Sequence, residues 1–358
     1  VYTQNNQVDF IISVGEGRSL VPNSVRICGD LRVLSDVTDS SSRSTEGRTY
    51  EPNCGGHNFI DAVSTNFVNV GMIENLQNYP RYVNMDAAAS LNTMDMLNSI
   101  NQCELRGVTE EYTTDISSGV TSDLTTGTDP TSDADFSIKP MICLNKMSTD
   151  NNGLPQRKSG VVRVQLTLAR NADALYGSLA DLNCGYELRA LRCTFKSVSD
   201  SGADEPITMG IVNSFKSNIL SGAATITTNV DAIADSVSMN FIQNQHEAVN
   251  VFNSNKLENI PGLLQVEYLF NSQTNSLITF PITDLTEMLQ RFIDSMEDTS
   301  HNQVCINKFR ANSAFALGLP FDEPIDLRNN RFTVQIQSSV DQDVPINAFL
   351  YFHSRTQL

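Results

Sequence analysis

Val162-Arg163-Val164-Gln165-Leu166-Thr167-Leu168 alternates apolar and polar residues at every step. Successive side chains of an extended strand point to opposite faces, so this period of two predicts a strand with one dry and one wet face. The same period spreads outward from it. Phe10, Ile12 and Val14 alternate with Asp9 and Ser13, and Val25, Ile27, Leu31 and Val33 keep the phase around Gly29. Tyr186, Leu188 and Ala190 alternate until the phase slips to Leu191, Cys193 and Phe195, which predicts a β-bulge. Further runs follow at Val237/Met239/Phe241, Leu264/Val266/Tyr268/Phe270, Phe332/Val334/Ile336 and Phe349/Tyr351. Clusters of Gly, Asn, Asp and Ser separate them, which is the spacing of antiparallel sandwiches and not of βαβ units. The fold class is all-β.

Helices are few. Leu285, Met288, Leu289, Phe292, Ile293 and Met296 form one apolar stripe, and Asp284 with Glu287 three residues on reads as its cap, predicting a helix over 284–297. A second helix is expected over 86–100, with Asp86 capping Ala87-Ala88-Ala89. Residues 36–58, rich in Ser, Thr, Asp and Gly, and 104–135 read as long surface loops. The latter holds Glu104, Glu110, Glu111, Asp115, Asp123, Asp129, Asp133 and Asp135 against Arg106 alone. Ser199-Asp200-Ser201-Gly202-Ala203-Asp204 reads as a linker, dividing the chain into sandwiches at 1–200 and 201–358. No fixed-period repeat is present in the sequence, which disfavours a solenoid or propeller.

Composition narrows the functional classes. Of 358 residues, 40% are apolar and 18% charged, enough for a packed core. No window approaches 18 uninterrupted apolar residues, so no transmembrane helix is expected. Val1-Tyr2-Thr3-Gln4 has none of the basic and apolar regions of a signal peptide. Lys and Arg number 24 against 41 Asp and Glu, a net charge of −17. Displacing counterions from phosphates requires a basic face, and no cluster of Lys and Arg exists, so specific nucleic-acid binding is not expected. Cys28, Cys54, Cys103, Cys143, Cys184, Cys193 and Cys305 are odd in number and widely spaced, without a Cys-x-x-Cys pair. They suggest neither a disulfide framework nor a zinc finger, and point to a reducing compartment.

Candidate chemistry is sparse. His57, His246, His301 and His353 share no metal-ligand spacing. Cys54-Gly55-Gly56-His57 could suggest a metal or nucleophile site, but reads better as a glycine turn in a surface loop. Gly15-Glu16-Gly17 lacks the third glycine and following helix of a dinucleotide site and reads as a strand-ending turn. The pairs Asp133/Asp135 and Asp341/Asp343 lie outside any twelve-residue calcium loop and read as solvated carboxylates. A carboxylate pair for glycoside hydrolysis is formed only in space, but a chain without Trp lacks the strongest sugar-stacking side chain. No catalytic, cofactor-binding or metal-binding residue is assigned, and no enzymatic activity is expected.

The order of the elements carries a resemblance. Phe136-Ser137-Ile138-Lys139-Pro140, then Val162 to Ala169, then Tyr186-Glu187-Leu188-Arg189-Ala190-Leu191 form one series. Phe280-Pro281-Ile282 ahead of Asp284 forms a proline-marked turn into a helix. Phe315-Ala316-Leu317-Gly318-Leu319, Phe332-Thr333-Val334-Gln335-Ile336 and Tyr351-Phe352-His353-Ser354-Arg355-Thr356 close the chain. Over roughly residues 8–358 this series resembles the double jelly-roll major capsid proteins of tailless icosahedral double-stranded DNA viruses, membrane-containing phages and virophages among them. The chain departs from some members in showing no basic or amphipathic N-terminal arm. The resemblance implies two tandem jelly-roll β-sandwiches with a few short helices. It also implies a homotrimeric, pseudo-hexameric capsomer of the virion, assembled in the host cytoplasm or nucleus. Its implied partners are neighbouring capsomers, penton or minor capsid proteins and an internal membrane, with the 104–135 loop on the particle exterior. The competing reading is a receptor- or carbohydrate-binding viral surface protein, such as a spike, penton or lectin-like sandwich.

Overall fold

The strand that opens the sequence reading, Val162–Leu168, is central in a four-stranded antiparallel sheet. The structure is a computed structural model that describes residues 1–358 apart from 35, 40–47, 92–94, 96–97, 99–101, 107–133, 149–152, 178–183, 203, 205, 221, 272–275, 279, 297–305, 307–308, 310–313 and 341–343. The sheet runs β1 (Gln7–Ile12), β10 (Val162–Leu168), β5 (Ile60–Phe67), β6 (Gly71–Leu76). Its register aligns Val8, Leu166 and Val63 in one row and Ile12, Val162 and Phe67 in another, all buried. The polar alternates Arg163, Gln165 and Thr167 reach solvent in part. The pattern that predicts the strand also sets which face is core.

A three-stranded sheet joins β12 (Gly185–Thr194), β3 (Arg26–Leu34) and β7 (Ala134–Ile138). Two smaller ladders complete this half, β13 (Ser197–Ser199), β2 (Arg18–Leu20), β9 (Leu154–Pro155) and β11 (Tyr176–Gly177) with β4 (Arg48–Thr49). The phase slip in the sequence is a bulge. Register between β12 and β3 shifts from Arg189 to Arg192, and Ala190 takes a left-handed φ of 48°. A Cβ on Gly29 opposite the bulge would stand 2.7 Å from the Arg189 carbonyl oxygen and 2.8 Å from Leu191 Cδ2. Since that backbone cannot yield cheaply, Gly29→Ala is expected to destabilise the chain by about 1–3 kcal/mol through overpacking. A thermal melt indistinguishable from that of the parent would show that the bulge relaxes freely.

The remaining strands form two larger ladders. One is five-stranded, β18 (Leu317–Asp326), β16 (Ile233–Gln243), β20 (Ile346–Gln357), β14 (Thr208–Ile219), β8 (Met147–Ser148). The other is β15 (Ala223–Thr228), β19 (Phe332–Ser338), β17 (Leu263–Phe270). Every ladder is antiparallel.

The 284–297 helix forms as expected over Leu285–Ser295, here α2. Asp284 Oδ1 accepts from the backbone N–H of Thr286 (2.8 Å) and Glu287 (3.1 Å). Met288, Leu289, Phe292 and Ile293 are buried, and Gly318 lets the helix close on β18, because a Cβ there would meet the Ser295 side chain.

Three expectations are corrected. The first helix, α1, spans Tyr79–Ser90 and begins seven residues before Asp86. Pro80 supplies the fixed φ of a first turn after Asn78 at φ 53°, so the helix starts there and Asp86 sits inside it. Most of 92–100 lies outside the described residues. The second correction is that Tyr50, Glu51 and Cys54 to Phe59 are buried, with a 3-10 turn over Gly55–Phe59, so only part of 36–58 is surface loop. Gly55 at φ 57° and Gly56, without Cβ atoms, admit the 104–106 backbone, and Gly56 N–H donates to the Glu104 carbonyl at 2.7 Å. The third is that Ala134 and Asp135 belong to β7 and not to the acidic loop, whose residues 107–133 lie outside the described residues. The linker is tethered: Ser197–Ser199 pairs with β2, and Asp200 accepts from Arg157 Nε at 2.9 Å.

Candidate functional site

The most built-up polar region joins residues from the two ends of the chain. It starts from β20, where Phe349, Tyr351 and His353 alternate with Leu350 and Phe352, and all five are buried. Across β16 their partners are Asn240, Ser238 and Ser236, and across β14 they are Lys216, Ser214 and Val212. In sequence the β16 partners Ser236, Ser238 and Asn240 read as a wet face, yet α1 lies on it. The Tyr82 ring sits 5.4 Å from Tyr351 and 5.8 Å from His353, centroid to centroid. The Arg81 guanidinium stands 4.3 Å from the Phe349 ring centroid, a cation–π contact inside the protein. Tyr351 Oη donates to the Asn78 carbonyl at 3.0 Å, and Asn240 Nδ2 donates to the Arg81 carbonyl at 3.2 Å.

A chain of amides extends the contact. Asn84 Nδ2 donates to the Asn255 carbonyl (2.7 Å), Asn255 Nδ2 to Asn58 Oδ1 (2.8 Å) and Asn58 Nδ2 to the Ala174 carbonyl (2.6 Å). Arg81 Nη2 donates to the Ser254 carbonyl, and Asn253 Nδ2 to Glu51 Oε2. Buried polar groups are costly unless paired, so this network specifies one relative placement of the segments it ties. A third tie runs through Met147–Ser148, which pairs with the start of β14, while Gly210 N–H donates to the Lys146 carbonyl at 3.0 Å.

Titration is shifted at this seam by burial. Glu74 on β6 accepts from Thr65 Oγ1 (3.1 Å) and from the backbone N–H of Ile142 (3.0 Å) and Cys143 (3.3 Å), holding the turn that leads into β8. Desolvation exceeds the effect of those donors and raises its carboxyl to about 7. Burial and Lys146 push His353 down to about 3. Burial, with Arg106 and Arg26, holds His57 well below the usual imidazole range. Burial lowers the Arg81 guanidinium as well.

No protein-family model matches the chain, and no curated protein matches it. Solved structures do. PBCV-1 VP54, fitted into a reconstruction of the virophage Sputnik, aligns at a TM-score of 0.64 and 11% identity, over 100% of this chain and 91% of that one. The Faustovirus major capsid protein aligns at 0.59 and 9% identity, over 100% and 88%. The mavirus major capsid protein aligns at 0.51 and 11% identity, over 98% and 84%. The fold is a double jelly roll. In that fold the α1 face and the amide chain form the seam where the earlier strands of the chain meet the later ones.

The residues singled out from sequence fall as follows. Cys54 and His57 are buried beside α1, with the Cys54 thiol donating to the Pro80 carbonyl (3.1 Å) and His57 Nδ1 lying 2.6 Å from Tyr79 Oη. Burial pushes the thiol well up, away from nucleophile chemistry. His246 pairs with Glu258 at 2.7 Å. His353 lies in the seam, while His301, Asp133, Asp341 and Asp343 lie outside the described residues. Asp135 is exposed on β7. Gly15 and Gly17 take positive φ in a turn ahead of β2. Among the described residues, no group of three His, Cys, Asp or Glu is placed to hold a metal, and Cys28, Cys54, Cys103, Cys143 and Cys193 are free thiols. Sequence reasoning missed Glu74, Arg81, Asn84, Asn240 and Asn255. The one signal for α1 was Pro80 in Tyr79-Pro80-Arg81-Tyr82, a residue that favours the first turn of a helix.

Proposed function

We propose that this chain is a structural major capsid protein that self-associates into a pseudo-hexameric homotrimer and tiles the facets of an icosahedral virion. The whole-chain likeness carries the reading: the PBCV-1 and Faustovirus proteins align over 100% of this chain and over 91% and 88% of theirs. A receptor- or carbohydrate-binding sandwich has no call for two rolls joined by a buried polar seam, so that alternative ranks second. The subunit acts by rigidity and not by catalysis. Antiparallel ladders supply the stiffness, and the seam fixes the angle between rolls that a repeating lattice requires. Partners in this reading are neighbouring capsomers, penton or minor capsid proteins and an internal membrane, and the chain's acidic charge keeps it off nucleic acid. We place the division between rolls near residues 200/201. Its support is that the ladders of β1–β7 and β9–β13 stay before it and those of β14–β20 after it, Met147–Ser148 excepted.

The test is a mass measurement in solution with negative-stain imaging. Closed symmetry is the usual outcome of self-association, and three chains of 39.4 kDa give a trimer of roughly 118 kDa. A hexagonal outline at that mass is expected. A monomer stable at micromolar concentration defeats the reading, and a pentamer redirects it to a penton.

A further inference from the structure

We propose that α1 is an acid-released clasp between the two rolls, held at neutral pH by the buried imidazoles His57 and His353 and loosened from its bed when they are protonated. The proposal stands apart from the capsid reading and rests on where the two rings lie. They come from opposite ends of the sequence and both touch the helix. His57, in the Gly55–Phe59 turn, lies against Tyr79 in the first turn of α1, ring centroids 5.8 Å apart. His353, on the last strand, lies against Tyr82 one turn later.

Among the described residues, neither imidazole has a carboxylate as a hydrogen-bond or ion-pair partner. Around His353 stand Ser238 Oγ (2.9 Å from Nε2), the Tyr82 ring and Lys146, and Nδ1 has no hydrogen-bond partner among the described residues. Lys146 Nζ is 3.2 Å from Tyr82 Oη and 3.8 Å from Asp86, the acidic group of α1 nearest this side. Asp235 and Arg355, on the adjoining strands, pair with each other at 3.6 Å. Around His57 the charges are Arg106 and Arg26. Glu104 engages both, at 3.3 and 3.8 Å, and also bears on Lys139. A proton on either ring therefore enters a buried site already facing cations. His246 is the contrast, with Glu258 Oε1 2.7 Å from its Nδ1.

Glu74 localises the response. Its carboxyl gains a proton over the same range, which relieves a buried charge on β6. Acid therefore relieves one buried charge at the seam and adds charge at the two contacts under α1. An imidazole that titrates at its ordinary value only when α1 lifts shifts that opening about tenfold per pH unit below 6.5.

Hydrogen exchange of the full chain at pH 7.0 and 5.0, corrected for the intrinsic pH dependence of the rates, tests this. Peptides within 79–90 should lose protection by about 30-fold per imidazole, while 285–295 and 332–338 hold theirs. His353→Gln and His57→Gln should each remove about 30-fold of the response. The clasp is overturned if 79–90 stays protected at pH 5.0, if all elements lose protection together, or if the double variant responds as the parent does. Should a variant fold poorly at pH 7.0, histidine NMR of the parent decides: rings silent to pH 5 until α1 exchanges support the clasp. A ring titrating near 6.5 in the closed state overturns it.

Discussion

Arg81→Ala is expected to lower the stability of the chain by about 3–5 kcal/mol, as a sum of losses at one buried position. The side chain is 3% exposed, its Nη2 donates to the Ser254 carbonyl, and its guanidinium covers the Phe349 ring. Truncation empties a space lined by groups from both rolls and leaves the Ser254 carbonyl without this donor. Arg81→Met separates the causes. Burial of this guanidinium outweighs the attraction of Glu247, Asp173 and Glu258, and its Nη1 has no hydrogen-bond partner among the described residues. Replacing such a charge with an apolar chain of similar volume is often neutral or better. Arg81→Met should therefore recover most of the loss, with a residual of about 1 kcal/mol from the missing hydrogen bond. Urea unfolding followed by far-UV circular dichroism measures both. If Met is as damaging as Ala, the guanidinium and not its stem is what the seam requires.

The same residue shows why the strands were legible in sequence and the seam was not. A half-buried strand announces itself, because Val162, Val164, Leu166 and Leu168 must alternate with something solvent accepts. α2 likewise carries its stripe on one side, with Gln290 and Asp294 left outside. α1 has no such contrast. Tyr79 to Met85 and Ala87 to Ala89 are all buried, so the helix is covered on every side, and a helix without a wet face has no periodic signal. The face beneath it misleads in the opposite sense. Ser236, Ser238 and Asn240 alternate with apolar residues as a solvated face would, and only their placement against α1 turns them inward. Cys54-Gly55-Gly56-His57 misled for a related reason. Two glycines predict a turn, which is present, but they also allow the 104–106 backbone to close over it. Those contacts span dozens of residues, and local pattern carries no record of them.

Glu74→Gln is expected to stabilise the chain at pH 8 and leave it nearly unchanged at pH 5. The parent carboxyl, raised to about 7 from an ordinary 4.5, holds a proton in the folded state over a range where the unfolded chain has released it. The folded state then binds more protons between those values, so this group's contribution to stability is greatest at and below pH 4.5. It declines as pH rises through 7 and is flat above, a fall of about 3 kcal/mol for a shift of this size. A glutamine avoids the fall while keeping the contacts. Its Oε1 can accept from Ile142 and Cys143 as Glu74 Oε1 does, and its amide can donate to Thr65 Oγ1, which stands 3.1 Å from the other carboxylate oxygen. His57 and His353 act with the opposite sign below pH 6.5, since their depressed values remove stability as pH falls. They are common to both proteins and cancel in the difference. The informative quantity is therefore variant minus parent, from urea midpoints at matched protein concentration across pH 5 to 8. It should start below about 1 kcal/mol at pH 5 and grow to a gain of about 3 kcal/mol by pH 8. A variant destabilised by the same amount at every pH would mean that three donors hold Glu74 ionised despite its burial, and that the turn into Met147–Ser148 depends on the charge itself.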